Sequence, residues 1–120
     1  MGEHEMTVAK ALSLAADLLA AEGWCQRTRM DGQGRRCFRG ALRKVVFGTE
    51  WPHCREISDN PAAMILSLAA EDAVIHRVYG RHAQGVNVVS WNDNPWRTAG
   101  EVIGTIRGTV LELNTKEAAR

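Results

Sequence analysis

Apolar residues recur at Val8, Ala11, Leu12, Ala15, Leu18 and Leu19, the spacing of one helix face, while Lys10 and Asp17 fall off that stripe. The pattern predicts an amphipathic helix from Thr7 to Glu22. Ala and Leu dominate it, so propensity agrees with periodicity, and Gly23 stands where a left-handed C-terminal cap belongs. The same period returns from Cys37 to Phe47, with Phe38, Ala41, Leu42 and Val45 on one face and Arg36, Arg39 and Arg43 on the other. Like charges at i and i+4 repel, so that arginine stripe is expected either to stay solvated or to meet an anion.

Between these helices, Trp24 to Met30 reads as an extended segment, and Asp31, Gly32, Gln33 and Gly34 are suited to a turn or hairpin. Gly48 to Asn60 reads as a loop, and Asn60 followed by Pro61 is a helix start, with an Asn cap and Pro at the first helical position. Met64, Ile65, Leu68, Ile75, Val78 and Tyr79 continue a helical pattern that Glu71 and Asp72 interrupt, which predicts one bent helix or two short ones ending at Gly80 to Gly85. Val86 to Trp91 is β-prone, and Asn92, Asp93, Asn94 and Pro95 need a turn. Thr98 and Glu101 have capping-box spacing ahead of Val102, Ile103, Ile106, Val110 and Leu113, which predicts a last helix from Ala99 to Leu113. Gly100, Gly104 and Gly108 weaken that helix and favour a pair of strands as its rival; if it forms, their common stripe invites close approach by another backbone.

The expectation is a mainly α, compact single domain of four or five helices over residues 1–120, with room for a short β-hairpin near residues 24–38. Its 120 residues, 45% hydrophobic and 24% charged, suffice for one core and not for two domains. The longest membrane candidate, Ala9 to Ala21, is too short and is broken by Lys10, Ser13 and Asp17. The N-terminus lacks the basic region and cleavage site of a signal peptide. A cytoplasmic location is therefore expected. Three cysteines, an odd number, read as reduced thiols, with a Cys25–Cys37 bridge as the open alternative.

Charge changes the picture more than composition does. From Gly23 to Phe47, seven cationic residues face Asp31 alone, a net of +6 within a chain whose total is +1. Met1 to Glu22 and Gly48 to Gly80 each sum to −3. Arg27, Arg29, Arg35, Arg36, Arg39 and Arg43 could bind phosphate, with Trp24 or Trp51 as a stacking surface. Cys37, at a predicted helix start beside Arg35 and Arg36, is the candidate nucleophile, with Cys25 behind it. His53, His76 and His82 are the available bases and Asp93 the group to orient one, but no local signature ties a histidine to either thiol. Cys25, Cys37, Cys54 and His53 lack the spacing of a zinc knuckle. No motif for a metal or a cofactor stands out, so none is expected.

Four motifs together are distinctive: GWCQ at Gly23 to Gln26, a DxxG turn at Asp31 to Gly34, CxxGAL at Cys37 to Leu42, and WNDxPxRTxxEV at Trp91 to Val102. This combination resembles a domain-of-unknown-function family of actinobacteria and their phages. Relatives of that kind often carry Gly where this chain has Trp96, and the arginine cluster here is denser than their norm. The resemblance implies that the GWCQ segment and the WND corner meet. Gln26, Asn92, Asp93 and Arg97 would then form the polar floor of a pocket bordered by Trp24 and Trp91; the simpler reading is that Asn92 and Asp93 hold their own turn.

These readings converge on a binding module without enzymatic activity, engaging an anionic partner: a nucleotide, nucleic acid or an acidic protein surface; the resemblance to phage proteins implies the role of a phage-encoded modulator of a host factor. Its binding residues are expected among Trp24, Gln26, Arg35, Arg36, Arg39, Arg43, Trp91, Asn92, Asp93 and Arg97. The two rivals are a small Cys-dependent hydrolase or transferase and a homo-oligomer assembled through the last helix's glycine stripe.

Overall fold

The first helix, α1 (Val8–Glu22), lies at the centre of the fold. Its alanines let neighbours approach: Ala11, Ala15 and Ala16 are fully buried with Leu12 and Leu19, and α2 (Phe38–Phe47), α4 (Pro61–Tyr79) and α6 (Ala99–Ala118) all pack on it. A computed structural model of the chain describes residues 5–119. Two further helices, α3 (Cys54–Asp59) and α5 (Val88–Asn92), bring the described α-helices to six against the four or five expected. None is long and apolar enough to cross a membrane among the described residues.

Most helix ends obey their local chemistry. Thr7, Asn60 and Thr98 each accept a hydrogen bond from the backbone N–H three residues on, at 3.1, 3.2 and 3.2 Å. Gly23 takes a positive φ of 103°, but with ψ at 159° it extends the chain away from α1 and is no left-handed cap. The Glu101 carboxylate pairs with Arg97, so the expected capping box is only half formed.

Three expectations need correction. The segment 24–38 contains no strand pair; it is held by isolated bridges of Arg36 to Trp24 and to Met30, with Asp31 accepting from Gln33 and Arg35 to close the turn. The loop after α2 contains α3, whose N-terminus is capped reciprocally by the His53 ring and the Glu56 carboxylate. The β-prone Val86 to Trp91 forms α5 instead, because Asn87 caps it at 2.7 Å from the Val89 N–H and helical turns bury Val88 and Trp91 together.

In α4 the expected apolar stripe is buried only in part, at Ile75 and, against the core, Tyr79. Ile65, Leu68 and Val78 are exposed, while the buried face carries Ala63, Ser67, Ala70, Glu71, Val74 and Ile75. Glu71 is no interruption of the packing face but part of it. The last helix does form, and continues to Ala118. No backbone lies against its glycines: Gly100 and Gly104 face open space, and over Gly108 runs the Arg77 side chain on its way to pair with Glu112.

Candidate functional site

The GWCQ segment and the WND corner meet, and Asn92 joins them. Its side chain is 1% exposed and uses all of its hydrogen-bonding capacity. The Oδ1 atom accepts from Trp24 Nε1 at 2.8 Å and from the Phe38 N–H at 3.0 Å; Nδ2 donates to the Cys25 carbonyl at 3.2 Å and to Asp93 Oδ1 at 2.9 Å. One amide therefore ties α5 to the Trp24–Cys25 strip and to the first turn of α2. Gln26 adds to the seam, donating to the carbonyls of Asn92 at 3.0 Å and Asn94 at 2.7 Å. Arg97 lies 5.0 Å above the Trp91 ring and donates to the Trp91 carbonyl, while Trp91 packs edge-on against Phe38 in the core.

Two backbone details fix the neighbouring strip. Arg27 has φ of +70°, a conformation that costs a residue with a Cβ, and its N–H is held by Asp93 Oδ1 at 2.9 Å. The Arg29 carbonyl passes so close to Gly40 that an added Cβ would sit 2.0 Å from it, which gives the glycine of CxxGAL its reason.

The arginines of the basic segment are mostly committed inside the protein. Arg36 is buried and donates to Glu50 and Glu22, each at 2.6 Å; Arg35 pairs with Asp31 at 2.7 Å. Arg39 makes a two-pronged pair with Glu71, both bonds 2.9 Å. Arg43, 3% exposed, has NH1 3.0 Å from Glu71 Oε2, within ion-pair range but without the angle of a hydrogen bond, so that nitrogen is buried with charge compensation alone. The arginine stripe of α2 does meet an anion, and the anion is Glu71 of α4. Burial pushes the Glu50 carboxyl up, yet the Arg36 hydrogen bond and charge outweigh it and hold the group below its ordinary value.

Beside the seam opens a cavity of about 330 Å³ lined by Arg27, Arg29, Arg39, Trp51, Cys37 and Asp93, with Thr28 and Val89 between them. Of the residues expected to bind, Arg39 and Asp93 line it. Trp24, Gln26, Trp91, Asn92 and Arg97 are not among its lining residues and serve to hold the seam, and Arg35, Arg36 and Arg43 serve ion pairs elsewhere. Arg27 and Arg29 have no carboxylate partner among the described residues; Arg29 donates to the Glu50 carbonyl at 3.1 Å. Trp51 is half exposed at 51%.

Both buried thiols are held protonated. Burial lifts Cys25 from its ordinary 9.0 to about 11, and its Sγ points at the carbonyls of Thr28 and Arg35. Burial also raises Cys37, more than the Gly40 and Arg39 N–H groups and the Arg29 charge lower it, and its sulfur caps α2 by accepting from the Gly40 N–H at 3.3 Å. Arg35 and Arg36, expected to favour its thiolate, are spent on carboxylates. All three cysteines are free. Among the described residues no three His, Cys, Asp or Glu groups converge as metal ligands would, so Cys25, Cys37, Cys54 and His53 do not assemble a site.

A family model described as "Family of unknown function (DUF6197)" matches residues 3–110. The chain belongs to this family. No curated protein and no solved structure matches it. The DUF6197 match runs across both the GWCQ and the WND segments, so the seam and its cavity lie within the matched region.

Sequence reasoning missed the acidic half of the site's framework. Glu22 and Glu50 enter the sequence reading only as flanking negative charge and Glu71 only as an interruption of an apolar pattern, although a carboxylate within such a pattern signals a cation to meet it.

Proposed function

We propose that this DUF6197 member is a binding module without catalytic activity, and that its anionic partner enters the cavity beside the GWCQ–WND seam. The reading rests on one observation: Arg27 and Arg29, free of carboxylate partners among the described residues, line the same concavity as the half-exposed Trp51. Arg27 sits there in a backbone conformation that glycine would adopt at lower cost, as residues kept for a ligand often do. Of the three guanidiniums that line the cavity Arg39 is paired with Glu71, which leaves Arg27 and Arg29 to outweigh the Asp93 carboxylate. Two protonated thiols and a lining without histidine argue for binding over nucleophilic chemistry. Three free thiols support an intracellular setting. An acidic host-protein surface, the partner implied by the resemblance to phage proteins, would have to place a carboxylate in this same cavity.

Calorimetric titration with inorganic pyrophosphate tests the reading. Binding should weaken steeply as salt rises, and Arg27→Ala with Arg29→Ala should weaken it about tenfold or more, while Arg35→Ala leaves it unchanged. No binding at low salt, or full binding in the double variant, would overturn it.

A further inference from the structure

The cavity holds more than an anion needs. A bare phosphate is served by guanidiniums, yet this lining also presents an indole face and a carboxylate. Trp51 is half exposed at the cavity wall, where a planar ring can lie against it. Asp93 commits one oxygen, Oδ1, to the Arg27 N–H and to Asn92 Nδ2, each at 2.9 Å. Its second oxygen has no hydrogen-bond donor among the described residues, and an ionised carboxylate only accepts. Near phosphate that oxygen would repel; near an amino group it would bind.

Resting on the anion reading above, we infer that the cavity is a nucleoside monophosphate site: Arg27 and Arg29 take the phosphate, Trp51 stacks on the base, and Asp93 Oδ2 accepts from a base amino group. Two guanidiniums without a carboxylate partner among the described residues match one phosphate better than a chain of them. A cavity of about 330 Å³ is at the small end for ligand pockets, which fits one nucleotide. A nucleic-acid strand would need a cationic track, and Arg35, Arg36, Arg39 and Arg43, which could have supplied it, are paired with Asp31, Glu22, Glu50 and Glu71. Adenine, guanine and cytosine each carry an exocyclic amino group for Asp93; uracil offers an N–H flanked by two carbonyls, which a carboxylate disfavours.

The test compares inorganic phosphate with AMP, GMP, CMP and UMP by titration into the full chain. AMP should bind about tenfold or more tightly than phosphate, UMP more weakly than the other three. Trp51→Leu, a surface substitution whose folding is checked by circular dichroism, should collapse the AMP-to-phosphate ratio. Asp93→Asn should narrow the gap between UMP and CMP. Phosphate binding with no gain from the base, or a ratio that survives Trp51→Leu, overturns the nucleotide assignment and leaves the anion reading standing. Absence of binding by pyrophosphate and every nucleotide overturns both. Tighter binding of a 5′-phosphorylated hexadeoxyadenylate than of AMP would move the ligand to nucleic acid and overturn the mononucleotide assignment.

Discussion

Asn92 concentrates more of this structure than any other side chain, because its two polar atoms hold four partners drawn from three separate segments. Asn92→Leu fits the volume but leaves the Phe38 N–H and the Cys25 carbonyl buried without a partner and takes the acceptor from the part-buried Trp24 Nε1. At about 1–3 kcal/mol for each orphaned group, a loss near 4 kcal/mol is expected in urea unfolding. Gly40→Ala should be as severe for a steric reason, since the Arg29 carbonyl it meets is backbone and cannot rotate away. The Cys25 thiol gives a pH signature. An unfolded chain ionises it near 9 whereas the folded one holds its proton to about 11, so stability falls as pH rises between those values and is unaffected by this group below them. Thermal melts of Cys25→Ala should be flatter than wild type across that window. A parallel fall in both would place the pH dependence in other groups. Iodoacetamide at pH 8 should label exposed Cys54 first, and Cys25 and Cys37 only on unfolding.

Among the elements, α2 and α4 are joined by Arg39 and Arg43 on one side and Glu71 on the other. Glu71→Gln strands the buried Arg43 and weakens the double contact to Arg39, which should cost about 3–5 kcal/mol, whereas replacing Arg43 and Glu71 together by methionine should cost much less. Charge reversal at Arg39 and Arg43 is therefore a folding experiment and not a binding experiment. In α6 the glycines divide by surroundings: Gly104→Ala, facing open space within the helix, should stabilise by about 1 kcal/mol without changing the sedimentation coefficient. A change of oligomeric state in that variant would revive self-association through this stripe. The periodic helices α1, α2 and α6 were legible because one apolar face decided each. The short α3 and α5 were not, since five or six residues carry too little periodicity, and the valines of α5 favour a strand until Asn87 caps them and the core takes Val88 and Trp91.

At the level of the whole molecule, the charge segregation along the chain dissolves on folding. The two acidic flanks supply Glu22, Glu50 and Glu71, and these neutralise the basic segment between them. Apart from Arg35 with Asp31 at i and i+4, this pairing is non-local, so no local spacing encodes it. Arg27, Arg29 and Lys44 have no carboxylate partner among the described residues, and of these the two arginines line the cavity with Trp51, at the junction of two motifs about 65 residues apart in the chain. The meeting of those motifs was foreseen only through the family resemblance. The cavity that their meeting forms could be read only from the fold. Amide chemical-shift mapping of the isotope-labelled chain during titration with pyrophosphate tests the account most directly. It predicts that the shifted amides cluster on Arg27, Thr28, Arg29, Cys37, Trp51 and Asp93; shifts gathered along the outer face of α2 near Lys44, or none that saturate, would contradict it.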